Sequence, residues 1–365
     1  RTAEGVATIV DNGTGTNYPG TITGVSLDSN TTSLNDDRQL SVNSITVNEG
    51  GGYAVFTVSA NAGQTMTLAL NVGTSNPPAT SGTDYTNVLE YWDGSAWQTY
   101  SSAFTVPGSS NAAVSLYVRV AVTNDSTFEN AEDFKLTAAY TSGASRTAEG
   151  VATIVDNGTG TNYTGDITSG SPVTNTTSLN DDRASFAIND VTVNEAAGTM
   201  TFTVTKTGST TQSATVGYSF SDGTAKTTGT GDLLDYAGTA GTLTFAAGDT
   251  SKTITVTINN DSVFEDSESF NVNLASATNA TISDAQGVGT IKDDGTGGNS
   301  QPGNTDPATL DNDRPSFAID DVTVNEGAGT VTFTVTKTGT SLLASSVSYS
   351  FADDTATSTG SGASN

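Results

Sequence analysis

Acidic and amide side chains are the residues in this chain whose types and spacing could do chemistry, and they recur in a fixed order. In the first stretch they run Glu49 in V-N-E-G, Asp84 in G-T-D-Y, Asn124-Asp125 with Glu129 and Glu132 in T-N-D-S-T-F-E-N-A-E-D-F, and Asp156-Asn157 in V-D-N-G. The second matches it with Glu195, Asp235 in L-L-D-Y, Asn260-Asp261 with Glu265 and Glu268 in N-N-D-S-V-F-E-D-S-E-S-F, and Asp293-Asp294 in K-D-D-G. Carboxylates from four distant segments, gathered at one place, repel one another unless a cation joins them. Ca2+ takes about 6–8 oxygen ligands in flexible geometry, which loops can supply, whereas Mg2+ demands stricter octahedral order. Acids in turns also have a plainer use, closing Asx-turns or keeping the turn soluble.

Composition narrows the chemistry further. The 365 residues include no His and no Cys, so nucleophilic triads, His or Cys zinc sites and disulfides are all excluded. With 12 Lys+Arg against 39 Asp+Glu the net charge is −27, yet only 14% of residues are charged, so the acidity reflects a shortage of basic residues. Nucleic acid and anionic membrane surfaces, which call for basic patches, are not expected partners. No run approaches the roughly 20 apolar residues of a membrane span. The sequence opens at Arg1 with no export signal, so any such signal is expected outside it.

Internal repeats set the organisation. Residues 1–18 recur identically at 146–163, and T-T-S-L-N-D-D-R at 31–38 recurs at 176–183. V-N-E brings Glu49, Glu195 and Glu326 into register, and an opening N-D-D-R or D-N-D-R does the same for Asp37, Asp182 and Asp313. Within each unit, stretches such as Thr199-Met200-Thr201-Phe202-Thr203-Val204-Thr205 alternate apolar residues with Thr, the two-residue period of a half-buried strand. Many such stretches, Gly/Asn/Asp-rich turns between them, and no helical period predict an all-β chain of tandem sandwiches.

The expected division is 1–15 as the closing strand of a preceding repeat, 16–38 as linker, and 39–158 as the first sandwich. A linker at 159–183, a second sandwich at 184–295, a linker at 296–314 and the start of a third sandwich at 315–365 follow. The linkers are rich in Gly, Ser, Thr and Asn and read as extended, weakly ordered connections; the glycines of G-T-G-T-N-Y and G-T-G-G are taken as part of them.

The ordered set of opening Glu, central Asp-Tyr, D-x-x-x-E-x-x-E and closing Asp pair resembles the Calx-β repeat, found in sodium/calcium exchangers, an integrin β cytoplasmic segment and many very large bacterial surface proteins. The resemblance is clearest over F-A-I-N-D-V-T-V-N-E, the run from Asp232 to Ala277, and G-V-G-T-I-K-D-D-G. It implies Ig-like sandwiches that bind Ca2+ through acidic loops at one end. Carried over by motif, the ligands would be Glu49, Asp84, Asp125, Glu129, Glu132 and Asp156 in the first repeat. In the second they would be Glu195, Asp235, Asp261, Glu265, Glu268, Asp293 and Asp294. Asn124, Asn260 and Asn157 stand where high-affinity members carry acids, which implies fewer or weaker ions.

The gap from Asp84 to Asp125 is 41 residues, against 26 from Asp235 to Asp261. The extra stretch E-Y-W-D-G-S-A-W-Q-T-Y-S-S-A-F holds both Trp residues, Trp92 and Trp97, and suggests either a sugar-stacking platform or an aromatic hairpin turning at Asp93-Gly94. Carboxylate pairs can hydrolyse glycosides, but duplication of the set in successive units speaks against an enzyme. The Asn-x-Ser/Thr sequons at Asn12, Asn30, Asn157 and Asn175 are expected by chance in so Asn- and Thr-rich a chain. The reading is a repetitive extracellular stalk of a large secreted bacterial adhesin-like protein, with Ca2+ as cofactor and neighbouring repeats as partners. A surface coat, sheath or filament that self-associates is the alternative, and a glycan-binding module is the third.

Overall fold

The computed structural model describes residues 4–8, 22–23, 26–27, 37–109, 112–175, 177, 179–228, 234–298 and 310–356. The expected closing strand at 1–15 lies outside these apart from residues 4–8, which carry no strand. Most of the first linker also lies outside them, although the short strands Ile22–Thr23 and Ser26–Leu27 pair with each other. The chain divides into two compact units, the first built largely from residues up to 184 and the second largely from residues beyond it.

In the first unit, alternating apolar residues fold two sheets face to face. One has the order Ser171–Asn175, Asn162–Thr168, Tyr53–Asn61, Ala113–Val122, Tyr85–Trp92 and Trp97–Thr99, with Leu40–Val42 also pairing to Tyr53–Asn61. The other runs Ile45–Asn48, Arg146–Val155, Glu132–Tyr140, Thr65–Val72 and Phe104–Thr105. Its first pair is parallel, Val47 lying opposite Ile154, so V-N-E and V-D-N-G finish side by side at one end. Phe56, Val58, Met66, Phe134 and Leu136 from the two inner faces form the core and are essentially inaccessible.

The second unit repeats the plan. One sheet has the order Tyr236–Ala237, Ser251–Ile258, Thr199–Thr207, Ala184–Ile188 and Ala280–Ile282. Its partner runs Val191–Asn194, Gln286–Lys292, Glu268–Thr278, Ala214–Asp222 and Gly241–Phe245. Again the V-N-E strand is parallel to the closing strand, with Val193 opposite Ile291. The all-β tandem-sandwich class expected from the alternation is therefore the fold. In the third repeat the strands Ser316–Ile319 and Val335–Thr338 pair, and a 3-10 turn at Glu326–Ala328 repeats that at Glu49–Gly51 and Glu195–Ala197.

The stretch 159–183 departs from the weakly ordered connection its composition suggests. Asn162–Thr168 and Ser171–Asn175 form a hairpin, and Tyr163 pairs with Tyr53 at the edge of the first sheet. What holds it is the aromatic insertion. Trp92 and Trp97 face each other across a second hairpin, edge to face at 5.6 Å, and Asp93 closes its turn by accepting from the Ser95 and Ala96 N–H groups at 2.8 Å. The Arg119 guanidinium lies between the Tyr53 and Trp97 rings, 4.2 and 4.3 Å from their centres, and pairs with Glu90 at 2.6 Å. Both Arg119 and the Trp97 indole N–H donate to the Gly165 carbonyl at 2.7 Å. Gly165 has φ +83°, and a Cβ there would lie 2.6 Å from the Tyr53 ring, so the contact requires glycine. Trp97 is thus a packing residue joining insertion to hairpin.

Candidate functional site: two acidic clefts

The acids are positioned by apolar neighbours in the sequence. Tyr85, next to Asp84, stacks on Phe134 with ring centres 4.3 Å apart; Tyr236, next to Asp235, stacks on Phe270 at 3.9 Å. Phe134 and Phe270 lie two residues beyond Glu132 and Glu268. Each buried aromatic pair therefore sets the Asp of D-Y beside the second Glu of E-x-x-E. The same Phe residues meet Phe56 and Phe202 edge to face at 6.0 Å, which locks that register to the opposite sheet.

The opening Glu arrives by another route. Asn48 and Asn194 cap the 3-10 turns, accepting from the Gly50 and Ala196 N–H groups at 3.1 Å, and this turns Glu49 and Glu195 inward. Each Glu is buried and accepts a 2.9 Å hydrogen bond from the N–H of Asp125 or Asp261, tying down the N-D-S loop. Glu129 and Glu265 follow within that loop, and Asp156 and Asp293 enter from the closing strand.

Three carboxylate groups result. Glu49, Asp156 and Asp182 form one, Asp84, Glu129 and Glu132 a second, and Asp235, Glu265 and Glu268 a third, each bringing oxygens within 4.8 Å of one another. In the first repeat Glu49, Asp84, Glu129, Glu132 and Asp156 line a single cleft; in the second Glu195, Asp235, Glu265, Glu268 and Asp293 line its counterpart. Asp125 and Asp261 instead close their own turns, accepting from Thr127 and Val263 N–H at 2.6 and 2.7 Å. Asp294 faces away, accepting from Thr296 and pairing with Arg314 at 3.2 Å.

Electrostatics in both clefts favours protonation in the absence of a cation. Burial, with help from Asp156, Asp125 and Asp182, pushes Glu49 up to about 7. Burial and Asp84 push Glu132 up to about 8; burial and Asp235 do the same for Glu268. Glu195 rises to about 8 and Asp156 to about 6, burial being the first cause in each. Asp156 is 4% exposed, and the backbone N–H groups of Asp182 and Glu129 approach its carboxylate without either closing a full hydrogen bond. A buried carboxylate so weakly satisfied among further carboxylates suits a hard cation bound through oxygen. Calcium fits this donor set, since neither His nor Cys is present to compete for a softer metal.

Sequence reasoning missed Asp182 and the buried Asn48 and Asn194. The recurrence of Asp182 in register with Asp37 and Asp313 was the available signal, although it read as the opening of a unit. The glycines assigned to linkers are also constrained. A Cβ at Gly160 or Gly297, both at positive φ, would lie 2.8 Å from the Asn48 or Asn194 nitrogen.

Tandem sandwiches, each with a buried acidic cleft at the end where its V-N-E strand meets its closing strand, define a class of all-β repeat modules. The chain belongs to the Calx-beta domain family, whose model matches residues 35–97, 110–158, 180–294 and 311–362. The mouse extracellular matrix organizing protein FRAS1 is 32% identical over 145 residues, 40% of this chain and 3% of that protein; the human protein gives the same figures. The chain thus spans a small fraction of these relatives. Among solved structures, the apo-form Calx CBD1 domain is 26% identical, covering 29% of this chain and 96% of that one, with a TM-score of 0.27. CBD12 from CALX1.2 is 15% identical, covering 68% and 96%, with a TM-score of 0.26.

Proposed function

We propose that this chain is a repetitive extracellular stalk segment of a bacterial adhesin-like surface protein, stiffened by Ca2+ bound in the acidic clefts. The observation that carries this reading is the weakly satisfied carboxylate of Asp156, buried among other acids. The ion would be held by Glu49, Asp84, Glu129, Glu132 and Asp156 in the first repeat and by Glu195, Asp235, Glu265, Glu268 and Asp293 in the second. When bound it supplies positive charge that lets these groups ionise together while folded. Each side chain then acts as a tie: Glu49 and Glu195 fasten the N-D-S loop to the start of the sandwich, and Asp156 and Asp293 fasten it to the closing strand.

The relatives, named extracellular matrix organizing proteins, support a place outside the cell. Among the described residues no helix is long and apolar enough to cross a membrane. The packing of Trp97 beneath Arg119 weighs against the glycan-platform alternative. Thermal unfolding of the full chain in millimolar calcium and in chelator tests the proposal. A raised melting temperature with calcium, reduced in Glu265→Ala/Glu268→Ala, is expected; coincident curves would leave a passive spacer.

A further inference from the structure

The chain leaving each sandwich returns to the closing turn before it moves on. Asn48, fully buried, accepts from the Asn180 N–H at 2.8 Å and donates to the Asn180 carbonyl at 2.9 Å, and the Gly158 N–H reaches the same carbonyl at 2.9 Å. In the second repeat Asn194 clamps Asp311 in the same way, at 2.8 and 3.1 Å, and Gly295 donates to the Asp311 carbonyl at 2.9 Å. Each clamp sets the next residue of the opening motif against the closing turn. Asp181 forms an antiparallel bridge with Asn157, and Asn312 forms one with Asp294. The bridged residues are 24 apart in the first case and 18 in the second, so chain length does not fix the pairing.

Acid and amide have changed places between the two bridges. The closing side keeps its local role through the exchange: Asn157 Oδ1 and Asp294 Oδ1 each accept from the N–H and the hydroxyl of the Thr two residues on, Thr159 and Thr296. The opening side does the same, since Asp181 Oδ1 and Asn312 Oδ1 accept from the backbone N–H of Arg183 and Arg314 at 3.3 and 3.4 Å. What changes is the guanidinium. Arg183 turns to Asp181 in its own motif, Nε and Nη2 lying 2.8 and 2.7 Å from the two carboxylate oxygens. Arg314 crosses the bridge to Asp294, Nη2 reaching Oδ2 at 3.2 Å and Nη1 the backbone carbonyl at 3.1 Å. Each Arg follows the acid, and each bridge holds one acid, one amide and one Arg. The fit is close: a Cβ on Gly158 or Gly295, both at positive φ, would lie 3.2 Å from Asp181 Oδ2 or 3.3 Å from the Asn312 side chain. Two carboxylates facing each other there would repel with a single guanidinium between them, and two amides would leave that guanidinium without its carboxylate.

We infer that the closing turn of a repeat recognises the opening motif of its successor by a one-acid, one-amide rule across this bridge. V-D-N-G accepts N-D-D-R, K-D-D-G accepts D-N-D-R, and each refuses the other's partner. The sequence keeps the rule at a third place, outside the described residues, where V-D-N-G at 10–13 precedes N-D-D-R at 35–38. Neither Asp181 nor Asp294 belongs to the carboxylate groups of the clefts, so the rule stands whatever the clefts bind. The partner of this surface is the following stretch of the same chain, and the pairing decides which repeats can succeed one another.

Hydrogen exchange of the full chain in chelator, read at single-amide resolution, tests this. Asn157→Asp puts two acids at the first bridge, and Asp181→Asn puts two amides there. Each should speed exchange at the Gly158 and Asn180 amides about three- to fivefold, the size of one unfavourable cross-strand pair. The double variant Asn157→Asp/Asp181→Asn recreates the arrangement of the second repeat and should return both amides to the parent's rate. The reciprocal swap Asp294→Asn/Asn312→Asp, read at Gly295 and Asp311, should likewise match the parent. Sodium chloride at 1 M should shrink the effect of Asn157→Asp, because the repulsion at a partly exposed bridge is screened. Single-variant effects that simply add in the double variant would overturn the rule and reduce the four residues to independent turn formers. Unchanged exchange in both single variants, or a parent whose Gly158 amide is unprotected, would overturn it as well.

Discussion

A carboxylate withdrawn from water among other carboxylates keeps its proton, and in this chain that turns calcium binding into a question of pH. Glu132, Glu195 and Glu268 sit at about 8, and Glu49 at about 7, against 4.5 for a free Glu. The folded state therefore binds protons that the unfolded state has released, so folding stability in chelator is fully present below about pH 4.5 and is lost as pH rises through about 8. Asp133, Asp222 and Asp294, held low by their hydrogen bonds, contribute in the opposite sense, but only as pH falls below 3.8. Melting temperature in chelator should accordingly fall steadily from pH 5 to pH 8.5, and millimolar calcium should remove most of that fall. A flat chelator profile would show that the acids ionise freely. The neutral isosteres carry the same argument further. Glu132→Gln/Glu268→Gln should raise the melting temperature in chelator at pH 8 and shrink the calcium response, a crossed pattern that simple loss of packing cannot give.

At the scale of the element, the parallel pairing of V-N-E with the closing strand is stabilised by one buried amide per sandwich. Asn194→Ala would strip partners from the Asp311 and Ala196 N–H groups and from the Lys292, Thr296 and Asp311 carbonyls. Leaving buried polar groups unsatisfied costs about 1–3 kcal/mol each, so a loss of at least about 2 kcal/mol is expected in urea unfolding. An unchanged midpoint would mean that water replaces the clamp. This element also marks how far the sequence could be read. Alternation disclosed the strands, because burial on one face leaves a two-residue trace; the order of the acids disclosed the clefts. Asn194 recurs in V-N-E, but its role was hidden, since it depends on carbonyls 98 to 117 residues away. The hairpin at 162–175 was hidden for a related reason: its Gly- and Thr-rich sequence buries little of its own, and it is held by Arg119 and Trp97 from another part of the sheet. Arg119→Ala should therefore speed amide exchange in Asn162–Thr168, whereas Trp92→Ala should leave retention on polysaccharide unchanged.

For the whole molecule, a net charge of −27 offers two distinct roles for salt, and they can be separated. Exposed acids repel over a Debye length of about 8 Å at physiological ionic strength, and any salt screens them. The clefts are different, because Asp156, Glu49, Glu195 and Asp293 are nearly inaccessible and bulk ions screen them poorly. If calcium acts only on overall repulsion, 1 M sodium chloride in chelator should reproduce the effect of millimolar calcium on both melting temperature and force-extension behaviour. If it acts in the clefts, high salt should recover a minor part of the thermal shift and none of the mechanical one. The mechanical readout is the more decisive, since the clefts join the opening turn, the N-D-S loop and the closing strand, and pulling on the chain loads those junctions directly. Single-molecule extension of the full chain should show a higher unfolding force per repeat in calcium than in chelator plus 1 M sodium chloride. Equal forces in the two conditions would reduce the acids to a solubilising coat and leave the chain's stiffness to its sheets alone.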